Sequence, residues 1–141
     1  MGDRPTNETT SLRRSGGCLC GAVRYTVTGE PINVRICHCH RCQKATGSAF
    51  FARALFAKGA VTIEGSPAEI RSSADLMRRF CPQCGSHLFS ERISNPHALA
   101  VTLGSLDDPD SFAPTEHIWT SRKVAWLVLA DNLPQHPEMP S

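Results

Sequence analysis

No apolar run in this chain approaches the roughly 20 residues that cross a membrane as a helix. The N-terminal residues also lack the apolar core of a secretory signal. Together these absences lead us to expect a protein that stays in the reducing cytoplasm and has no membrane partner. Charge of one sign is scarce too. Lys and Arg number 15 against 13 Asp and Glu, a formal excess of +2, too little to argue for nucleic acid or an acidic surface. Paired carboxylates, a nucleophilic serine motif, a phosphate loop and a dinucleotide fingerprint are all missing, so the common hydrolytic and nucleotide-dependent chemistries have no residues to carry them. Internal repeats and a domain-sized linker are absent as well. At 141 residues, 40% apolar and 20% charged, the chain reads as one globular domain, able to bury roughly 70% of its unfolded surface.

Cysteine is what the sequence does have, with seven residues. They fall in three groups: Cys18 and Cys20; Cys37, Cys39 and Cys42; Cys81 and Cys84. In a reducing compartment clustered thiols point to metal rather than disulfides, and an odd count cannot pair completely within one chain. Zinc takes four protein ligands where it is structural, and three where a position stays open for chemistry. Seven divides as four plus three. Cys81-Pro82-Gln83-Cys84-Gly85 is a zinc knuckle by sequence, with Gly85 available for the positive φ of such a turn. Cys18-Leu19-Cys20, bracketed by Gly17 and Gly21, supplies the other half of a closed four-cysteine shell.

Between these groups the pattern is that of short strands. Val23, Tyr25 and Val27 alternate with polar residues, and Ile32, Val34 and Ile36 alternate again and lead into Cys37. A helical turn or loop is expected over residues 43–48, stopped by Gly47. A core strand is expected over Ala49–Phe56, a short strand over Val61–Glu64, an extended segment over His87–Ser90 and a buried strand over Ala98–Leu103. Residues 70–80 are compatible with an exposed strand or a short helix. His117-Ile118-Trp119 and Val124–Leu129 add apolar segments, and Trp119 and Trp126 are expected in the core. The expected division is a flexible arm over 1–15, a single zinc-binding β domain over 16–131, and a frayed Pro-rich tail over 132–141.

Cys37, Cys39 and Cys42 are then left without a fourth cysteine. Either the site is open, or a histidine from elsewhere, His87 or His117, closes it. His38 and His40 lie between the cysteines, where their side chains should point away from a shared ion. Three thiolates donate heavily, which favours ionising a substrate thiol or steadying an alkoxide over generating hydroxide. Arg41 and Lys44 beside the cluster are candidates for receiving substrate carboxylates, and His117 is a candidate proton carrier.

Gly-Gly-Cys-Leu-Cys-Gly-Ala-Val-Arg-Tyr (16–25), Cys-His-Cys-His-Arg-Cys-Gln-Lys-Ala-Thr-Gly (37–47) and Arg-Phe-Cys-Pro-Gln-Cys-Gly-Ser-His-Leu (79–88) resemble the glutathione-dependent formaldehyde-activating family. The domain of that family also occurs in centromere protein V. The resemblance implies a mainly β fold of several short twisted antiparallel sheets, a β-tent, with two zinc ions per chain. It implies a structural zinc on Cys18, Cys20, Cys81 and Cys84 and a catalytic zinc on Cys37, Cys39 and Cys42. It further implies carbon–sulfur lyase chemistry joining a small thiol such as glutathione to a small aldehyde, formaldehyde. A non-catalytic zinc-binding module that contacts other macromolecules is the alternative, and a fourth protein ligand at the second cluster would favour it.

Overall fold

Runs of alternating β-branched and polar residues become strands in the computed structural model, which describes residues 13–140. In chain order these are β1 (Arg14–Gly17), β2 (Arg24–Val27), β3 (Asn33–Cys37), β4 (Phe51–Ala57), β5 (Val61–Glu64), β6 (Ala68–Ser73), β7 (Leu76–Phe80), β8 (His87–Arg92), β9 (Ala98–Thr102) and β10 (Glu116–Ile118). The α-helix among the described residues, α1, spans His40–Thr46. A small sheet has the order β1-β2-β5, and a large one the order β10-β3-β4-β9-β8-β7-β6. All pairings are antiparallel except β10 with β3. The fold is mainly β, two twisted sheets leaning together as the β-tent expectation requires. No described helix is long and apolar enough to cross a membrane.

The period of two in the large sheet sorts its residues onto faces of opposite chemistry. One face carries Val34, Ala54, Phe56, Leu99, Val101 and Phe89, which bury against Val23, Tyr25 and Val27 of the small sheet's side. Tyr25 meets Phe89 edge-on with ring centroids 5.2 Å apart, and its hydroxyl shares a 2.6 Å hydrogen bond with Ser105. The register puts the other set of residues on the opposite face: Arg35 across from Arg53, Cys37 across from Phe51, and Arg78 across from Ser90. That face holds the second cysteine cluster.

Several expectations change. Residues 70–80 form neither a single strand nor a helix: β6 and β7 pair as a hairpin. The helix expected after the cluster begins inside it, so Cys42 is a helical residue. Val124–Leu129, expected as an apolar segment, is irregular chain. With no sheet face to occupy, its Trp126 is 73% exposed rather than in the core. The tail does not fray over its whole length. Prolines lack N–H groups but their carbonyls accept: His117 N–H donates to Pro134 O at 2.9 Å, and Ser121 N–H to Pro137 O at 3.2 Å. His136 N–H returns a bond to His117 O at 2.9 Å, so the tail covers the open edge of β10. Apart from Arg13, Arg14 and Ser15, the expected arm lies outside the described residues, and Arg14 and Ser15 belong to β1.

The close packing of β1 against Tyr25 of its own sheet and Ser105 beyond β9 depends on Gly16. A Cβ there would lie 2.5 Å from the Tyr25 ring and hydroxyl and 2.6 Å from Ser105 O, whereas one at Gly59 meets nothing within 4 Å. Gly16→Ala should therefore cost about 1–3 kcal/mol and Gly59→Ala no more than about 0.5 kcal/mol. Urea unfolding of both variants checks this, and equal midpoints would disprove the close approach.

Candidate metal centres and the adjoining cavities

Two hairpin tips, one from each sheet, meet at sulfur. Cys18 and Cys20 sit in the β1–β2 turn, closed by Cys18 N–H to Val23 O at 3.0 Å, with Gly21 at φ 85°. Cys81 and Cys84 sit in the β7–β8 turn, closed by Cys81 N–H to Ser86 O at 2.9 Å and Gly85 N–H to Cys81 O at 2.8 Å, with Gly85 at φ 80°. All four Sγ atoms lie within 4.8 Å of one another. Cys18 to Cys20 and Cys20 to Cys81 are each 3.7 Å. Tetrahedral zinc with sulfur at its usual distance requires about 3.8 Å between sulfurs, so the group fits. N–H groups of Val23 and Gln83 aim at the sulfurs of Cys18 and Cys81, at 3.2 and 3.4 Å. The Ser86 hydroxyl, 3.2 Å from Cys84, and then the Ser86 backbone hold the Cys84 thiol down at about 5. Leu19 N–H donates to the same hydroxyl at 3.0 Å and links the two turns directly.

The second cluster lies where a strand becomes a helix. Cys37 ends β3, Cys39 is the N-cap of α1, accepting from Cys42 N–H at 3.4 Å, and Cys42 is on the helix's first turn. The helix ends at Gly47, whose φ of 67° suits glycine. The three sulfurs lie within 4.8 Å of one another, and among the described residues no other Cys, His, Asp or Glu joins them. Cys37 and Cys42 are buried and Cys39 is half-buried. The crowded sulfurs share protons unequally: hydrogen bonding to Cys39 pushes the Cys37 thiol up, and the bond from Cys37 holds Cys39 down. A cation among them relieves that crowding.

Neither candidate fourth ligand joins the cluster. His117 is buried, with Nδ1 2.9 Å from His38 Nε2 and Nε2 2.7 Å from Asp131 Oδ2. Burial, and then the neighbouring His117, lower His38 to about 4. Both nitrogens of His87 are buried without a partner, and its ring stacks on Phe51 at 5.3 Å.

Arg78 has no place among the sequence candidates. It is 3% exposed, donates to Cys42 Sγ at 3.3 Å, and its guanidinium lies 5.3 Å from the Phe51 ring centroid. Nothing local separates Arg78 from Arg79. Only the register with β8 turns one toward the cluster and the other toward Glu69 and Glu91. Gln43 fixes the cluster's loop, donating from Nε2 to His38 O at 2.8 Å and to Arg122 O at 3.0 Å.

Two cavities meet at Cys39. One, of about 470 Å³, is lined by Cys39, Arg41, Arg78, Arg92, Trp119 and Arg122 among others. The other, of about 210 Å³, reaches Cys37, Cys39, Arg53, Arg92 and Trp119. Arg41 is thus on a cavity wall, tethered to Ser72 O at 3.2 Å, while Lys44 is exposed on α1 and lines neither. His117 lines neither as well. Trp119 is half-buried at the junction with φ 58°, a left-handed conformation uncommon for a bulky residue and typical of constrained functional positions.

A family model described as glutathione-dependent formaldehyde-activating enzyme matches residues 13–122. An uncharacterized lyase of Schizosaccharomyces pombe is 31% identical over 74 residues, 52% of this chain and 54% of that protein. A Pyrenophora teres protein named as a glutathione-dependent formaldehyde-activating enzyme is 29% identical over 79 residues, 54% of this chain and 42% of that one. The chain thus spans about half the length of the curated relatives it matches. A crystal structure of a Rhodobacter sphaeroides protein superposes with a TM-score of 0.54 at 25% identity, covering 66% of this chain and 87% of that one.

Removing the donor to Cys42 with Arg78→Met should weaken metal retention at the three-cysteine cluster about 10–100-fold. Chelator competition reads this, and unchanged retention would show that Arg78 does not support the cluster. His87, lowered from 6.5 to about 4 first by burial and then by Arg78, should destabilise the fold when it charges. Its stabilising effect is complete above about pH 6.5 and lost as pH falls toward about pH 4. His87→Leu should accordingly lose less thermal stability than the wild type between about pH 7 and about pH 5.

Proposed function

The chain belongs to the glutathione-dependent formaldehyde-activating enzyme family, and on that premise we propose that it is a zinc-dependent carbon–sulfur lyase. Cys18, Cys20, Cys81 and Cys84 would hold a structural zinc, and Cys37, Cys39 and Cys42 a second one with a position left open, two ions per chain. The observation that carries this reading is the three-sulfur cluster with no fourth described donor, placed where two arginine-lined cavities meet. Bound by three thiolates, zinc supplies a Lewis-acid position at which a thiol ionises near neutral pH.

The surrounding residues bind, orient and exclude water. Arg41, Arg92 and Arg122 line the larger cavity and suit the carboxylates of a glutathione-like thiol; Lys44 stands outside it. Phe51, Ile118 and Trp119 pack around the cluster and keep the sulfurs in an apolar setting. Arg78 stabilises negative charge on Cys42. His117 acts as a positioning residue: its ring, anchored by Asp131, holds His38 and with it the loop between Cys37 and Cys39. In the reaction the thiol sulfur bonds to the carbonyl carbon of an aldehyde, the C=O π bond opens, and the thiol proton ends on the former carbonyl oxygen. The lyase direction reverses each of these changes, and no electrons are gained or lost.

Metal analysis under reducing, chelator-free conditions should give close to two zinc ions per chain, and a complete absence of zinc would remove the reading. Cys84→Ser should unfold or aggregate the protein, because closed thiolate sites in small domains contribute on the order of 10 kcal/mol of folding free energy. Cys39→Ser should stay folded and lose thiol–aldehyde turnover followed by NMR. A Cys39→Ser variant as unstable as Cys84→Ser, in a wild type without turnover, would instead identify a non-catalytic zinc module.

A further inference from the structure

The face of the large sheet that carries the second cluster also carries a half-buried cation, Arg53, with no carboxylate among the described residues to balance it. β3 and β4 put Arg35 directly opposite Arg53. Arg35 is neutralised by Glu116, whose other oxygen is 3.1 Å from His136 Nε2. Arg92 lies near Asp75 at 3.6 Å, and Arg78 donates to Cys42 and Ser72. Arg53 differs from all of them. Its one hydrogen bond among the described residues goes to the neutral amide oxygen of Asn33, and no carboxylate pairs with it. Glu91, on the same cavity, is held by Arg79 at 2.6 Å and Lys58 at 3.4 Å. Burial first, and then the neighbouring Arg35, lower Arg53 to about 10, so it keeps its charge at neutral pH. Cysteines 37 and 42 oppose that shift, but neither is hydrogen-bonded to Arg53. A partly desolvated cation with only a neutral amide as partner is costly, and an arriving anion offsets that cost.

The place for that anion is the 210 Å³ cavity, which Arg53 shares with Cys37 and Cys39. Cys37 is in register with Phe51, two residues before Arg53 on β4. Two residues of strand separate those rows by about 7 Å. A carboxylate held by Arg53 would therefore set a carbon one or two bonds away close to the sulfur cluster. The rest of the wall is mixed: Phe51, Leu55, Leu76, Ile118 and Trp119 are apolar, while Arg35, Arg92 and Glu91 already have ion-pair partners. A neutral one-carbon aldehyde has no use for a half-buried guanidinium, and the volume is small for a tripeptide. A short carboxylate matches both the charge and the size.

We propose that this cavity binds the carboxylate of a short 2-oxo or aldehydic acid through Arg53, aided by Asn33, making that acid the carbonyl partner of the thiol. The proposal rests on the thiol-adduct reading for its reaction but not for its binding site. The adduct forms as before: sulfur bonds to the carbonyl carbon and the thiol proton ends on the carbonyl oxygen, with the carboxylate unchanged.

The test uses zinc-loaded full-length chain and unreactive probes. Propionate is titrated while the Trp119 indole and Arg53 Nε–H resonances are followed by NMR, with inorganic phosphate and 1-propanol as parallel arms. Propionate should shift both resonances saturably, 1-propanol should not shift the Arg53 resonance, and Arg53→Gln should weaken propionate binding by about tenfold or more. Lys44→Gln, outside both cavities, should bind propionate as the wild type does. Absence of propionate binding, a preference for phosphate, or undiminished binding in Arg53→Gln would each overturn the proposal. Should Arg53→Gln fail to fold, the Arg53 resonance of the wild type decides. Propionate binding without thiol turnover would leave this site standing and remove the lyase reading; turnover without propionate binding would do the reverse.

Discussion

Everything else in the fold depends on the meeting of two hairpin tips at four sulfurs. The β1–β2 turn brings Cys18 and Cys20, the β7–β8 turn brings Cys81 and Cys84, and their Sγ atoms gather within 4.8 Å. The two pairs are about sixty residues apart in sequence, a closure that chain entropy resists. Ser86 tunes it from within, touching Cys84 through its hydroxyl and accepting from Leu19 of the opposite turn. This clamp fixes the small sheet over one face of the large one. The edge-on packing of Tyr25 on Phe89, and the need for glycine at position 16, both follow from that fixed approach.

With one face of the large sheet committed to the apolar core, the other is free to gather charge. β3, β4, β7 and β8 each place an arginine there, and the end of β3 delivers Cys37 among them. The arginines have different tasks set by their partners. Arg35 is matched to Glu116, Arg78 supports a cysteine sulfur, and Arg53 is left with an amide. Behind the cluster, the buried chain from His38 through His117 to Asp131 braces the loop and has no contact with the cavities. The tail adds its own support. Glu138 O accepts from Trp119 N–H at 3.3 Å and His136 O from Thr120 N–H at 3.0 Å, holding the left-handed turn at the cavity junction.

Seven cysteines in three groups, with glycines at the turns, carry the metal arrangement in the sequence, because thiolate spacing and turn geometry are local properties. Alternation gave β2 and β3 for the same reason, and apolar runs gave β4 and β5, while β1 fell partly in the residues expected to be an arm. The division of the Ile70–Phe80 region into two strands was not legible, since its arginines blur the apolar period and only pairing with β8 resolves it. Trp126 was misplaced because apolar character alone does not provide a face to bury against. The tail was misread because prolines signal an irregular chain while saying nothing of what their carbonyls can accept.

The sequence by itself determined the grouping of four and three sulfurs, the mainly β class and the family, all of which rest on short-range spacing. Only the tertiary structure decided which arginine supports Cys42, that Arg53 bonds to an amide rather than a carboxylate among the described residues, and that His117 lies behind the second cluster rather than in its cavities. Those distinctions arise from sheet register, which brings together side chains from strands far apart in the chain. Arg78 and Arg79 are neighbours in sequence, and a pleat separates them onto opposite faces.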